Sequence, residues 1–156
     1  MIQKVGVGFI YALQHNVTKK IYIGKSENLY TRYMFHLRDL KLQKHHSREM
    51  QEAFNKYGAD FSLYILEEIE DPCERILYFG EYIRRDRLAE IKWMGTYNTL
   101  ENGYNKQDKS SRKLILKRRE TIPFKEGKPT LPEKERRAED DRKCSDQEGC
   151  EDSGQE

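Results

Sequence analysis

Four side chains near the N-terminus have the types and spacing for phosphodiester chemistry: Tyr11, Tyr22, Arg32 and His36. The tyrosines lie on two segments that read as neighbouring strands, and Arg32 and His36 follow eight and twelve residues after Gly24. Tyrosyl hydroxyls and an imidazole can accept or supply protons, and a guanidinium is a fork-shaped partner for a phosphate. This combination suits hydrolysis of a phosphodiester, because its pentavalent transition state needs charge stabilisation.

Two strands are predicted to position the tyrosines, because the residues from Gly8 to Leu13 and from Lys20 to Gly24 are rich in Ile and Tyr. The residues between them are of hairpin-loop length. Since side chains alternate along a strand, Tyr22 and Gly24 share one face. A glycine there lets a DNA backbone or a metal's water shell approach the sheet closely, although a turn at the strand end would favour the same residue.

A helix is predicted to begin near Ser26 or Asn28, both good N-caps, and to end at about Leu42. Arg32 and His36 lie one turn apart and are expected at the border of the buried stripe, where they can reach one anion. A solvated polar flank is the alternative interpretation of this pair. Residues at helical spacing form the predicted stripe: Tyr30, Tyr33, Met34, Leu37 and Leu40.

A second helix is expected to bury Met50 and Phe54 and to end at Gly58, a natural helix terminator. The residues from Phe61 to Ile69 form the clearest strand of the sequence, and both of its faces are apolar as far as Glu67. A strand that is apolar on both faces is typical of the middle of a sheet with helices packed on either side. We therefore expect this strand in the middle of the sheet.

Residues 71–97 are predicted to be largely helical, because Asp71 and Pro72 are typical of a helix N-cap and of the first helical position. A break in this helix is expected near Gly80 or at residues 84–86. Turn-forming residues follow from position 98 to 103, and Asn105 ends the ordered pattern.

Over about residues 5–105 these motifs resemble the GIY-YIG nuclease family, especially its phage intron-homing branch. Phe9-Ile10-Tyr11 and Tyr22-Ile23-Gly24 correspond to the two motifs that name the family, and residues 28–36 match its arginine and histidine. Further matches are His45, Glu90 three residues before Trp93, and the closing Gly103-Tyr104-Asn105. Six matches in the right order and with compatible spacing carry the resemblance.

The resemblance implies an α+β fold with a small central antiparallel three-stranded sheet flanked by helices. It also implies a DNA endonuclease that depends on Mg²⁺ (or Mn²⁺), with one ion bound by Glu90 and with Arg32 stabilising phosphate charge. A tyrosine and a histidine would manage the proton of the attacking water, and the sequence leaves open which tyrosine is the base. A catalytically idle relative that binds nucleic acid is the alternative. The residues assigned to catalysis are Tyr11, Tyr22, Arg32, His36, His45, Glu90 and Asn105.

Two departures from the family pattern bear on the site. Phe9 stands where the family usually has its first glycine, which leaves Tyr11 in place. The stretch between residues 70 and 89 is longer than in the family, and this insertion makes Glu81 a rival to Glu90 as the metal ligand. We favour Glu90, because Trp93 supplies the anchoring that follows the family's glutamate.

Charge divides the chain into three parts. Residues 1–105 hold 15 Lys/Arg and 14 Asp/Glu (net +1), residues 106–137 hold 12 and 5 (net +7), and residues 138–156 hold 2 and 8 (net −6). We expect a nuclease domain over 1–105 and a charged, largely disordered tail over 106–156, with a short basic helix at 111–120. The basic segment should attract phosphate by charge. The predicted nucleic-acid contacts are Gly24, Lys25, Arg112, Lys113, Lys117, Arg118 and Arg119.

Bulk composition narrows the remaining possibilities. The mean hydropathy of −1.00 is incompatible with a transmembrane span, and the first residues lack the apolar stretch of a signal peptide. We therefore expect a cytoplasmic protein whose three cysteines are free thiols. The expected partner is DNA, in whose absence the protein is expected to be a monomer, and no role for a membrane is expected. Because the tail is short for a second folded domain, low DNA specificity or a separate specificity partner is expected.

Overall fold

A three-stranded antiparallel sheet forms the centre of the fold in the computed structural model, which describes residues 6–106, 109–121 and 131, without the side chains of 117–121. Strand β1 (Val7–His15) lies between β2 (Ile21–Ser26) and β3 (Phe61–Glu70). Helices α1 (Leu29–Lys41) and α2 (Arg48–Tyr57) follow β2 in the chain. The predicted α+β class with a three-stranded antiparallel sheet is confirmed.

The second half of the described chain begins with a separate antiparallel hairpin, formed by β4 (Arg75–Tyr78) and β5 (Glu81–Arg84). Helices α3 (Arg85–Tyr97), α4 (Thr99–Asn102) and α5 (Lys109–Thr121) come after it. In the part of the chain that the structure describes, no helix has the length and apolar character needed to cross a membrane.

Strand β1 is the centre of the sheet because its side chains are buried on both faces. Ile10 and Ala12 are fully enclosed on one face, and Tyr11 and Leu13 are 1% exposed on the other. The first face packs mainly on α3 and α5, and the second face packs on α1 and α2. The sheet therefore separates two apolar cores, and residues that alternate along one strand serve different cores.

The prediction that the strand at Phe61 lies in the middle of the sheet is wrong, because β3 is an edge strand. Its two faces still meet different cores: Tyr64 and Leu66 lean on one, and Leu63 leans on the other. Apolar residues on both faces of a strand thus indicate that other elements pack above and below it. They do not indicate a neighbouring strand on both of its edges. Ile65 shows the edge position directly, since it is 47% exposed.

The predicted buried stripe of α1 is wrong in part, since Leu40 is buried as expected and other members of the stripe are not. Asn28 is the N-cap as expected, and its side chain accepts a hydrogen bond from the amide of Thr31 at 3.0 Å. However, the buried residues of α1 are Leu29, His36 and Leu40, whereas Tyr30 and Met34 are 68% and 45% exposed. Counting apolar residues misplaces this helix because its inner face carries polar groups that are satisfied within the protein.

The helix predicted from position 71 is replaced at its start by the hairpin of β4 and β5. Phe79 and Gly80 occupy its two-residue turn with φ of 48° and 81°, the left-handed conformation that a tight hairpin turn requires. The cap-like pair Asp71 and Pro72 precedes this hairpin, and the helix begins only at Arg85. The break expected near residues 80 and 84–86 therefore marks the turn and the start of α3.

Residues 103–105 continue the sheet beyond β2 without forming a regular strand. The Tyr104 amide donates to the Ile21 carbonyl at 2.9 Å. The Asn105 side chain accepts from the amide of Ile23 and donates to its carbonyl, both at 2.8 Å. An asparagine side chain therefore replaces one backbone rung and satisfies the outer edge of β2.

The packed part of the chain reaches beyond residue 105. Helix α5 covers the basic helix predicted at 111–120, and its Leu114 and Ile115 are each 7% exposed in the core shared with α3. Residues 122–130 and 132–156 lie outside the described residues, and so do the predicted disorder and acidic end of the tail. Cys73 is a free, exposed thiol, while Cys144 and Cys150 lie outside the description.

We expect Gly103→Ala to destabilise the protein by about 1–3 kcal/mol, because the new methyl group overpacks a closed space. A Cβ at this position would lie 2.5 Å from the Ile21 carbonyl oxygen and 2.7 Å from Thr99 atoms. Urea unfolding measures the change. Asn102→Ala is the control at the exposed neighbouring position, and equal midpoints for the two variants would contradict the pairing of residues 103–105 with β2.

Candidate active site

Tyr11 and Tyr22 lie close together on the side of the sheet that faces α1. The ring centroids of Tyr11 and Tyr22 are 6.4 Å apart, and both side chains are buried. Tyr11 lies directly opposite Gly24 on β2, and a Cβ at Gly24 would be 2.4 Å from the Tyr11 hydroxyl oxygen. The close approach that Gly24 permits is therefore that of the Tyr11 side chain.

A chain of hydrogen bonds leads from Tyr11 into the protein. The Tyr11 hydroxyl is 2.7 Å from Nε2 of His36, and Nδ1 of His36 is 2.8 Å from Nε2 of His45. Nδ1 of His45 in turn lies 3.1 Å from the backbone amide of Ser47. Strand β1, helix α1 and the loop before α2 are thus joined through three side chains.

The Ser47 amide sets the direction of this chain, because a backbone N–H can only donate. Nδ1 of His45 is therefore the acceptor, and neutral His45 carries its proton on Nε2 and donates to His36. His36 then carries its proton on Nε2 and donates to Tyr11. The Ser47 carbonyl, 3.4 Å from the same Nδ1, is the more distant partner.

Arg32 also donates to Tyr11, with its Nε 3.4 Å from the hydroxyl oxygen. Burial raises the pKa of Tyr11, the neighbouring Tyr22 raises it further, and Arg32 opposes both. Burial likewise raises the pKa of Tyr22, against the opposing effect of Arg32. The Tyr11 oxygen accepts two N–H donors, which would stabilise a phenolate and so oppose the rise in its pKa that burial causes.

The two histidines of this hydrogen-bond chain, His36 and His45, are held neutral. Burial, followed by the charge of Arg32, lowers the pKa of His36 to about 3. Burial and the neighbouring His46 lower the pKa of His45 to about 4. Both imidazoles thus keep one N–H and one lone pair at neutral pH, as a directional hydrogen-bond chain requires.

His46 is a member of the site that sequence reasoning missed. Its Nε2 lies 3.2 Å from the Tyr22 hydroxyl, and its ring stacks on His45 with centroids 4.4 Å apart. Burial, with Arg32 as the next cause, lowers its pKa. The sequence signal was the adjacent pair His45 and His46, of which only His45 was assigned to the site.

Glu90 approaches the tyrosines from α3 on the other side of the sheet. Its side chain is 11% exposed, and its charge contributes to raising the pKa of both Tyr11 and Tyr22. Arg87 donates from Nη1 to Glu90 at 2.7 Å and from Nη2 to the Ser111 hydroxyl at 2.5 Å. Sequence reasoning missed Arg87 and Ser111, because their meeting depends on the docking of α5.

The rival carboxylate, Glu81, lies elsewhere. It is exposed on β5, opposite Tyr78 in the hairpin. Among the described residues, no group of three or more metal-ligating side chains comes together. Glu90 is therefore a buried carboxylate whose charge acts on the tyrosine pair, with Arg87 as its counter-ion.

Asn105 lies close to the site, but its amide is already used. Both of its polar atoms bond to the backbone of Ile23, between Tyr22 and Gly24 on β2. We therefore assign Asn105 to positioning β2. Ser47 has a comparable function, since its hydroxyl donates to the Tyr104 carbonyl at 2.6 Å.

The residues predicted to contact nucleic acid differ in their exposure and in their ion pairs. Lys25 pairs with the buried Asp86 at 3.0 Å, and Gly24 is covered by Tyr11. Arg112 is exposed and lies 3.6 Å from Glu101, and Lys113 is also exposed. The remaining three predictions, Lys117, Arg118 and Arg119, fall on side chains outside the description.

Comparison with known proteins identifies relatives of this chain. Residues 7–105 match the model of the GIY-YIG catalytic domain. Intron-associated endonuclease 1 of Enterobacteria phage T4 is 32% identical over 126 residues, which cover 74% of this chain and 47% of the relative. The chain therefore spans about half the length of that curated relative.

Two solved structures resemble the fold. One is a mutant of the catalytic domain of intron endonuclease I-TevI, with a TM-score of 0.54 and 31% identity, covering 65% of this chain and 95% of that one. The other is titled as the catalytic domain of homing endonuclease I-TevI, with a TM-score of 0.53 and 29% identity, covering 65% and 99%.

Acidification should destabilise the protein well above the pKa of its carboxylates. Folded His36 and His45 stay neutral down to about pH 3 and 4, whereas unfolded histidine binds a proton near pH 6.5. Their stabilising contribution is complete above that value and is lost as the pH falls, by about 1.4 kcal/mol per pH unit for each group. Urea unfolding at several pH values between about 7 and 5 measures this slope.

His36→Gln provides the comparison for that measurement, because it removes one of the two titrating groups. Its stability should fall less steeply with acidification than that of the wild type. A free energy of unfolding that is flat between about pH 7 and 5 in the wild type would show that these imidazoles are not held neutral.

Proposed function

The chain belongs to the GIY-YIG catalytic domain family, and on that premise we propose that it is an endonuclease that hydrolyses phosphodiester bonds of DNA. The observation that carries this proposal is the Tyr11 hydroxyl, which receives hydrogen bonds from His36 and Arg32 beside the carboxylate of Glu90. A directed proton acceptor, a guanidinium and a carboxylate are the components that phosphoryl transfer to water requires.

Tyr11 is proposed as the general base. Two N–H donors point at its oxygen, so its own proton has to leave in another direction, where a water molecule can exchange protons with it. As a phenolate it would take a proton from that water, whose oxygen then attacks phosphorus as the bond to the leaving oxygen breaks. The two donors from the protein would support the negative charge before the transfer.

Arg32 is proposed to serve both the base and the substrate. Its Nε donates to Tyr11 and its guanidinium also bonds the Tyr22 hydroxyl, and its remaining N–H groups are left as donors for a phosphate oxygen in a partly buried position. A bidentate guanidinium contact of this kind stabilises charge on the transferring phosphoryl group. His36, His45 and His46 act behind it as positioning residues for the two tyrosine hydroxyls.

Glu90 is the proposed ligand of a divalent ion, Mg²⁺ or Mn²⁺. Mg²⁺ keeps several of its waters and is typically held by one or two carboxylates, so a single buried carboxylate fits it. When bound, such an ion supplies positive charge that stabilises the transition state and favours deprotonation nearby. That charge would counter the burial that raises the pKa of Tyr11.

The alternative is a relative that binds nucleic acid without cutting it. All of the polar positions discussed above are filled by groups capable of catalysis, which favours the active enzyme. DNA specificity is proposed to be low or to come from a separate partner.

Arg32→Ala and Glu90→Gln should each lower the cleavage rate by about 10²-fold or more, the typical cost of losing one charged partner of a transition state. Supercoiled plasmid with Mg²⁺ is the substrate, and nicked and linear products are followed over time. Glu81→Gln is the matched control on the exposed hairpin and should cleave at the wild-type rate. Full activity of either site variant with an unchanged circular dichroism spectrum would refute its assigned role.

Arg87→Gln should tighten Mn²⁺ binding by about tenfold, or about 1.4 kcal/mol, because Arg87 competes for the Glu90 carboxylate. Calorimetric titration of Mn²⁺ in the absence of DNA measures this without relying on activity. Arg84→Gln is the control, since Arg84 pairs with Asp86 instead. Glu90→Gln should abolish the binding, and unchanged affinity in both Arg87→Gln and Glu90→Gln would place the ion elsewhere.

A further inference from the structure

The hairpin of β4 and β5 has two dissimilar faces. Side chains of Tyr78 and Ile83 lean on the core shared with α3 and α5. The opposite face, here called the ribbon face, points to solvent. It consists of two cross-strand pairs, Arg75 with Arg84 and Leu77 with Tyr82.

The apolar part of the ribbon face is unusually exposed. Leu77 and Tyr82 are 59% and 69% exposed although they are direct cross-strand neighbours. Phe79 at the turn beside them is 46% exposed. Isolated exposed apolar residues are common, but three on one short hairpin form a patch, and such patches mark interaction sites.

The charged part indicates the kind of partner. Like charges directly opposite each other in a sheet are destabilising, and the ribbon face places Arg75 opposite Arg84. Asp86 compensates Arg84 at 2.8 Å, whereas Arg75 is exposed and makes no ion pair within the described part of the chain. An uncompensated guanidinium beside a second one is complementary to an anionic ligand such as phosphate.

The hairpin is connected by hydrogen bonds to the elements that carry the candidate active site. Its base is tied by the backbone bonds of Arg85 to Glu74 and of Asp86 to Pro72, at 2.7 and 3.2 Å. Asp86 also binds Lys25 on β2, the strand that carries Tyr22. Helix α3 starts directly after β5 and carries Glu90, so a ligand on the ribbon face has a defined position relative to the site.

We propose that the ribbon face binds duplex DNA, with Arg75 and Arg84 on backbone phosphates and with Leu77 and Tyr82 against the groove. A two-stranded ribbon fits the major groove, which is about 12 Å wide. This inference rests on the proposed function and adds the element that holds the duplex beside the tyrosines. The opposed arginines favour DNA over an apolar protein surface as the occupant.

The test separates charge from apolar contact. Binding of a fluorescent duplex to the full chain is measured by anisotropy over a range of salt concentrations, with EDTA present so that no cleavage occurs. Arg75→Gln should flatten the log–log salt slope by about 0.9, the value for one phosphate contact. The double variant Leu77→Ser, Tyr82→Ser should weaken binding by about tenfold and leave the slope unchanged, because it removes no charge.

Two controls lie on other exposed surfaces. Arg48→Gln removes a charge from α2, where the Arg48 side chain is 92% exposed, and Val17→Ser removes an apolar group that is 54% exposed. Both should bind DNA as the wild type does. All variants should keep the wild-type urea midpoint, because the altered side chains are exposed.

Wild-type affinity and slope in both ribbon variants, with a wild-type protein that cleaves plasmid, would overturn the ribbon inference and leave the proposed function intact. A wild-type protein that neither binds nor cleaves DNA would overturn both. A wild-type dimer that the double variant converts to a monomer would show that the face joins two copies of the chain, which also overturns the inference.

Discussion

A single backbone amide, that of Ser47, determines how the protons of the site are arranged. Because this amide donates to His45, His45 donates to His36, and His36 donates to Tyr11. The Tyr11 oxygen then accepts a second hydrogen bond from Arg32. Buried imidazoles need both ring nitrogens satisfied, so no member can turn without leaving a neighbour unpaired. Tyr11 is thus fixed in orientation by groups from three separate elements.

Ser47 is also the N-cap of α2, and it connects the proton chain to the rigidity of the sheet. The Ser47 hydroxyl binds the Tyr104 carbonyl, and the following Asn105 satisfies the edge of β2 at Ile23. Residues distant in sequence therefore hold β2 in the register that sets Tyr22 beside Tyr11 and Gly24 beneath it. Precise placement of this kind is what a site needs when a displacement of about 1 Å is costly in rate.

Much of the fold was predictable, and each failure has an identifiable physical cause. Strands β1 and β2, the Asn28 cap and the end of α2 at Gly58 follow from local signals that tertiary structure did not override. The inner face of α1 was not predictable from apolar periodicity, because His36 is buried there by hydrogen bonds to Tyr11 and His45. Polar residues that the protein satisfies internally look like surface residues in a sequence.

The hairpin of β4 and β5 was missed for a different reason. Asp71 and Pro72 are good helix starters, but a left-handed pair at Phe79 and Gly80 turns the chain back before a helix can form. Such a turn favours Asn-Gly or Asp-Gly, so Phe79 and Gly80 do not signal it, and only the half-buried Tyr78 and Ile83 show why the hairpin is kept. Local sequence preference determined the N-cap of α1, whereas the packing of Tyr78 and Ile83 determined that the hairpin forms in place of a helix.

The candidate site draws on both layers of the protein. His36 and Arg32 come from α1 on one face of the sheet, and Glu90 comes from α3 on the other, yet all three act on the Tyr11 hydroxyl or its charge. The two layers have separate apolar cores that share only the sheet. A displacement of either α1 or α3 would therefore disturb the site, and α5 belongs to this dependence because Arg87 bonds both Ser111 and Glu90.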